Sequence, residues 1–196
     1  KRIITSKIEH HATLYTVQAL QEEFDIAVEF VNVSHEGTID YAQFSALFSN
    51  DIKTLVSLMH VNNETGVIND IEKIGAICHQ NKALFHCDTV QSIGKTELNL
   101  QKLAIDFLVA SAHKFHGPKG AGFAYVRKNL VLQPMIFGGE QEKGWRAGTE
   151  SVHQIAGMAK ALELSFEYLN EERKYITDLK QYCFQKLQQA FPEFSV

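Results

Sequence analysis

Hydrophobic and polar positions along this chain change period several times, and the changes mark its elements. Phe107-Leu108-Val109-Ala110 is an unbroken apolar run, which reads as a buried strand over 105–110. Ile26, Val28 and Phe30 share one face of an alternating segment, so 26–33 reads as a second strand. Segments 2–6, 54–60, 83–87 and 122–126 are read as further strands, the last as a hairpin partner of 105–110. Between them the period lengthens to a helical one. Val17, Leu20 and Phe24 give one helix, and Phe44, Leu47 and Phe48 a short one capped by Asp40. Ile71, Ile74, Ile77 and Cys78 give a third, capped by Asp70. After a glycine-rich, irregular stretch over 137–149, Ser151-x-x-Gln154 predicts a capping box. It heads a long helix whose stripe of Val152, Ile155, Ala156, Ala159, Leu162, Phe166 and Leu169 reads as core packing. A more polar amphipathic helix over 171–190 stops before Pro192. Strands alternating with helices predict an α/β protein with a largely parallel sheet.

Composition changes this picture little but excludes several classes. The 196 residues suffice for one sizeable core, and 45% hydrophobic with 21% charged is ordinary for a globular domain. A formal net charge of -4 offers no basic field for nucleic acid or an anionic membrane. No apolar run approaches a membrane span, and no signal-peptide pattern is present. Cys78, Cys87 and Cys183 are an odd set without CxxC spacing, which suits a reducing, cytoplasmic setting. The chain opens at Lys1 inside a strand pattern without an initiator Met, so it reads as a piece of something longer.

The candidate chemistry lies where strands end. In open α/β sheets, ligands bind beyond the carboxyl ends of the strands. Asn63 follows one strand; Asp88 and Gln91 follow the next; Ser111, His113 and Lys114 follow a third. A lysine where a buried strand emerges is costly to desolvate without a partner or a task. One such task is a Schiff base with a carbonyl cofactor. Pyridoxal phosphate needs that lysine and a carboxylate at its pyridinium nitrogen, so that the ring works as an electron sink. It also needs a donor to the ring hydroxyl, an aromatic plane and phosphate donors. Lys114, Asp88, Gln91, His10, and Ser111 with His113 match those needs in turn. Taken singly, each has a plainer reading. Lys114 could be a solvated loop lysine, Asp88 and Asn63 turn residues, and His10 a surface or N-cap histidine. Lys95 and Lys119 read as solvated turn lysines. Zinc is a poor rival: His10, His11, His60, His86 and Cys87 lack short ligand spacing, and His86 and Cys87 point to opposite faces of one strand.

Four segments carry a resemblance. They are Val61-Asn62-Asn63-Glu64-Thr65-Gly66; His86-Cys87-Asp88-Thr89-Val90-Gln91-Ser92-Ile93-Gly94-Lys95; Ser111-Ala112-His113-Lys114-Phe115-His116-Gly117-Pro118-Lys119-Gly120; and the run from Gly138 to Glu150 that contains Arg146-Ala147-Gly148-Thr149. In order and spacing they resemble the signature segments of NifS/IscS-type cysteine desulfurases, in the class V aminotransferase group of fold-type I pyridoxal phosphate enzymes. The resemblance implies a three-layer αβα sandwich around a mostly parallel, mixed sheet. It implies that Lys114 anchors the cofactor and moves the substrate's α-proton, that Asp88 pairs with the ring nitrogen, and that Gln91 contacts the ring hydroxyl. His10 would stack on the ring and serve in acid-base steps. Asn63 would lie near the ring hydroxyl and the substrate carboxylate, and Ser111 and His113 would bind phosphate. Thr149 would reach the phosphate of a partner subunit's cofactor, so a homodimer is implied. The implied reaction converts L-cysteine to L-alanine and passes sulfur as a persulfide to an acceptor or scaffold protein, for iron–sulfur cluster assembly or tRNA thiolation. Selenocysteine lyase or another class V aminotransferase-like pyridoxal phosphate enzyme would share the same cofactor residues, and a non-catalytic dimeric scaffold is the reading from another class. Two parts that the resemblance leads one to expect are absent: a phosphate-binding Gly-Ala-Thr segment, and a small C-terminal domain with the persulfide cysteine loop and a carboxylate-binding arginine. On this reading, 1–150 is the cofactor-binding large domain and 151–196 the connecting helix and start of the small domain. None of the three cysteines has the surroundings of a mobile nucleophilic loop, and the chain alone is expected not to desulfurate cysteine. Thr89 departs from the alanine common in the family.

Overall fold

The structure is a computed structural model, and it describes residues 1–48 and 52–193. Six strands form one sheet in the order β2-β1-β3-β4-β5-β6. They are β1 Arg2–Ser6, β2 Ala27–Val31, β3 Thr54–Ser57, β4 Leu84–Asp88, β5 Phe107–Ser111 and β6 Gly122–Val126. The first five run parallel, and β6 returns antiparallel beside β5 as the hairpin pattern predicts. The helices are α1 His11–Phe24, α2 Tyr41–Ala46, α3 Ile71–Gln80, α4 Val152–Glu167 and α5 Leu169–Ala190. The chain leaves β1 toward β2 on one side and later enters β3 on the other. The exits of β1 and β3 therefore diverge, which opens a crevice at that point of the sheet.

One sheet face carries Ile4, Val56, Phe85, Cys87 and Leu108, all buried in the main core. Phe44 of α2 and Ile71, Ile74 and Cys78 of α3 cover them. Fully burying such side chains stabilises by roughly 1.5–3 kcal/mol each. Asp40 and Asp70 cap α2 and α3 as read from the sequence: Asp40 Oδ1 accepts from the amides of Ala42 and Gln43, and Asp70 Oδ1 from that of Lys73. The opposite face presents Ile3, Leu55, Ser57, His86, Asp88 and Val109 to a cavity that α1 helps to wall.

Three expectations are corrected. β3 ends at Ser57 rather than at residue 60, because β1 turns away there; the Leu58 and His60 amides still donate to the His86 and Asp88 carbonyls. The capping box does not form. Ser151 makes no side-chain cap, and Gln154 Nε2 donates instead to the Lys119 carbonyl beside the β5–β6 turn. The α4 stripe is rotated from the expected one. Met158, Ala161, Leu162, Ser165 and Leu169 face the domain, whereas Val152, Ile155, Ala156, Ala159 and Phe166 are exposed. α5 follows after a single break at Tyr168 and is exposed along most of its length, with Tyr175, Ile176, Leu179 and Tyr182 open to solvent.

Candidate active site

A cavity of about 620 Å³ lies at the carboxyl edge of the sheet, and His10, Asn63, Asp88, Gln91, Ser111, His113 and Lys114 all line it. Residues from positions 10 to 114 thus meet in one place, through the exits of β1, β3, β4 and β5. The volume falls within the roughly 300–1,000 Å³ range of small-molecule sites. Thr149 is the one sequence-derived site residue that lies elsewhere; it is exposed and does not line the cavity.

Lys114 closes a 3-10 turn over Ala112–Lys114 that follows β5 directly. The Ala112 carbonyl accepts from both the Phe115 and Gly117 amides, which draws the turn tight. A side chain at 117 would sit 2.9 Å from Ala112 Cβ, so only glycine lets the backbone return this closely. Phe115 and Ala112 are buried against Ile93, Met158 and Leu162, which makes α4 the backing of the turn. Among the described residues Lys114 Nζ has no hydrogen-bond or ion-pair partner. Lys95 bonds to Gln91 Oε1 at 3.2 Å, and its ammonium is held below the usual lysine range by burial first and by the charge of Lys114 second. Lys95 is exposed and does not line the cavity, as expected of a solvated turn lysine, but it bonds to Gln91, which does.

Asp88 uses one oxygen as a turn residue: Oδ1 accepts from the Val90 amide at 2.9 Å. Its other oxygen has no protein donor among the described residues. Both readings of Asp88 thus hold together, one oxygen fixing the carboxylate and the other left for a ligand. Thr89 fits because its buried hydroxyl donates to the Val109 carbonyl at 2.8 Å, tying the β4 exit to β5. His10 is the N-cap of α1, with Nδ1 accepting from the Ala12 amide at 3.1 Å, and it also lines the cavity. Asn63 Nδ2 donates to Glu64 Oε1, while its neighbour Asn62 shapes the loop by accepting from the Glu64 and Thr65 amides.

The family model described as "Aminotransferase class-V" matches residues 1–196. The chain belongs to the aminotransferase class-V family. Members of this family are pyridoxal phosphate enzymes. The chain is 44% identical over 182 residues to "Cysteine desulfurase IscS" of Mannheimia succiniciproducens, covering 92% of this chain and 45% of that protein. A solved "NIFS-LIKE PROTEIN" matches with a TM-score of 0.92 at 40% identity, covering 96% of this chain and 52% of the other. "SspA in complex with cysteine" matches with a TM-score of 0.77 at 38% identity, over 83% and 47%. This class-V chain spans about half the length of the relatives it matches.

Two features in and beside the cavity escaped the sequence reading. His86 and Ser57 lie side by side on the cavity floor, with Ser57 Oγ 2.8 Å from His86 Nδ1. Burial lowers the His86 pKa, with the Asp88 charge opposing. The parallel register of β3 with β4, which pairs Ser57 with His86, was the signal, and it is not legible before the strand order is known. The second is Glu9, buried next to His10 and pushed up to about 7 by burial first, with the charge of Asp88 adding and bonds to Met59 and Ser6 opposing. Cys78 and Cys87 lie in the core, their thiols raised by burial, and Cys183 is exposed on α5. Among the described residues no cluster of His, Cys, Asp or Glu could hold a metal. No helix among them is long and apolar enough to cross a membrane.

Proposed function

We propose that this chain is the cofactor-bearing part of a pyridoxal phosphate-dependent cysteine desulfurase. The observation that carries the reading is the convergence of an unpartnered lysine, a half-open carboxylate and two amides on one cavity from three adjacent parallel strands. The names of the curated relatives and the cysteine complex of SspA support the substrate. The donor set fits the cofactor: Lys114 Nζ is free for the covalent attachment, and the open oxygen of Asp88 can accept from a protonated ring nitrogen. Gln91 would meet the ring hydroxyl, His10 would offer its ring plane, Asn63 would serve the ring hydroxyl and the substrate carboxylate, and Ser111 and His113 would donate to phosphate; all of them line the cavity. Bound pyridoxal phosphate supplies an electron sink for charge developing at the substrate α-carbon.

The chain's own residues do the rest. Asp88 would hold a proton on the ring nitrogen by its negative charge, and the Val90 amide keeps that carboxylate oriented. Lys114 would take and return the substrate's α-proton at Nζ. Its turn is fixed by Gly117 and by α4, so the amine stays within reach of the site between those steps. Sulfur leaves to a cysteine outside this chain's three, because Cys78 and Cys87 are buried and Cys183 stands on α5 away from the cavity. We further propose a cytoplasmic homodimer in which Thr149, exposed and off the cavity, reaches the partner's cofactor phosphate, with a sulfur-acceptor or scaffold protein as second partner. Residues 1–150 would be the large domain, and the outward apolar positions of α4 and α5 would face the small one.

The test is a visible absorption spectrum after incubation with pyridoxal phosphate and gel filtration, for the parent and Lys114→Ala. A visible band that stays with the protein through gel filtration in the parent alone supports the reading. No band in the full-length natural protein overturns it.

A further inference from the structure

We propose that Glu9 is a positioning residue of this site, a buried clamp that joins the exit of β1 to the exit of β3 and so fixes His10 opposite Asn63. Those two exits diverge, since β1 continues to one side of the sheet and β3 enters on the other. Something must hold them at a set separation if side chains on both are to face one ligand. Glu9 is 5% exposed, and its Oε1 accepts from the Met59 amide and from Ser6 Oγ, each at 3.0 Å. The first bond crosses from one exit to the other. A second crossing lies beside it, where Asn62 Nδ2 donates to the Ile8 carbonyl at 2.7 Å. Glu9 immediately precedes His10, the N-cap of α1, and Met59 and Asn62 lead into Asn63. Displacing either bond therefore moves a cavity wall.

The other oxygen, Oε2, is buried and has no partner among the described residues. A carboxylate with one naked buried oxygen is costly when charged and tolerated when protonated. The groups around it agree with the protonated form. Asp88 on β4 bears the charge that faces it, and the Cys87 thiol, raised by burial and then by Glu9, stays neutral. Burial, with Asp88 adding, lifts the Glu9 carboxyl to about 7. With the carboxyl at about 7, the protonated form of Glu9 prevails below neutral pH and there leaves the negative charge to Asp88, where the ring nitrogen would need it.

The test compares parent, Glu9→Ala and Glu9→Gln, in this chain and in its full natural reading frame. Three readouts are taken: amide exchange at Met59 and Ala12 without cofactor, the imidazole NMR signals of His10, and the dissociation constant for pyridoxal phosphate. Only the last rests on the cofactor reading. Glu9→Ala is expected to lose Met59 protection, shift His10 while leaving His79 and His153 in place, and weaken binding by about tenfold, as for one buried donor left unmade. Glu9→Gln keeps an oxygen acceptor in the same place and is expected to restore all three. Should Glu9→Ala not fold, Glu9→Asp withdraws the acceptor by one methylene and is expected to give the same losses. Parent-like Met59 exchange and His10 signals in the shortened variants, or no rescue by Gln, overturn the proposal. A full-length parent that binds no cofactor defeats the cofactor reading, and the exchange and NMR readouts still decide the clamp.

Discussion

Ser57 Oγ and His86 Nδ1 stand 2.8 Å apart across neighbouring parallel strands, on the face that carries Asp88 two residues further along β4. The pair supports the row of side chains beneath Asp88. Ser57→Ala leaves a half-buried imidazole nitrogen without its partner, and it is expected to cost about 0.5–1.5 kcal/mol of stability. Urea unfolding near pH 7.5 measures this, and an unchanged midpoint would show the bond to be idle.

The same histidine sets an acid limit. Burial holds His86 below the usual histidine value of 6.5, so the folded chain keeps it neutral where the unfolded chain takes up a proton. Its contribution is full above the ordinary histidine range and is lost on acidification. Replacement of His86 by Gln should flatten the fall in melting temperature between about pH 7 and pH 5.

Glu9 acts with the opposite sign. Its folded value of about 7 lies above the ordinary 4.5, so the folded chain retains a proton that the unfolded chain has released. This stability is complete below about pH 4.5 and disappears as pH rises through about 7. Glu9→Gln should remove that dependence and gain on the order of 3 kcal/mol at pH 8 relative to the parent. Equal pH slopes for parent and variant in urea melts would sink this expectation.

Gly94 adopts φ +75°, and a Cβ there would lie 2.9 Å from Phe115 Cβ and 3.2 Å from Ser165 Cβ. Gly94→Ala should therefore destabilise by about 2 kcal/mol or more, through backbone strain and a clash that pushes the turn carrying Lys114 against α4. Thermal melting gives the cost, and the pyridoxal phosphate affinity reports the displaced turn.

Cysteine accessibility offers a simple check on the core. Cys78 and Cys87 are buried with their thiols raised, Cys78 to about 12, while Cys183 is exposed. A short maleimide pulse on the folded chain should label Cys183 alone by peptide mass mapping. Labelling at Cys87 would mean that the β4 register is wrong.

The parts of the fold with a strong period were legible in the sequence. The apolar run at 107–110 and the Asp70-capped helix emerge as read, because burial on a known face leaves a pattern that no neighbour can disguise. α4 was misread for the opposite reason. Its two sides are both apolar enough to serve, and Ser165, which donates to the Ala161 carbonyl at 2.8 Å and sits at 3.4 Å from that of Phe115, is part of the inward face that hydropathy ranks last. That the polar residues at strand ends would meet in one cavity was legible from the α/β alternation, which implies a crevice there. Glu9 and the Ser57–His86 pair were not, since their meaning depends on which strands are neighbours. Polar residues that act across a sheet are silent until the strand order is known.

The parallel order also governs how the molecule comes into being. Every strand pair except β5–β6 joins strands separated by a long crossover, so contacts around the cavity close large loops before they return any energy. The β5–β6 hairpin, with the Lys114 turn at its bend, is the local exception and should gain protection first in pulsed exchange during refolding. The lysine would then wait in water for the carboxylate and the amides, and the cavity would be a late product of folding, complete only when β1 and β3 have met.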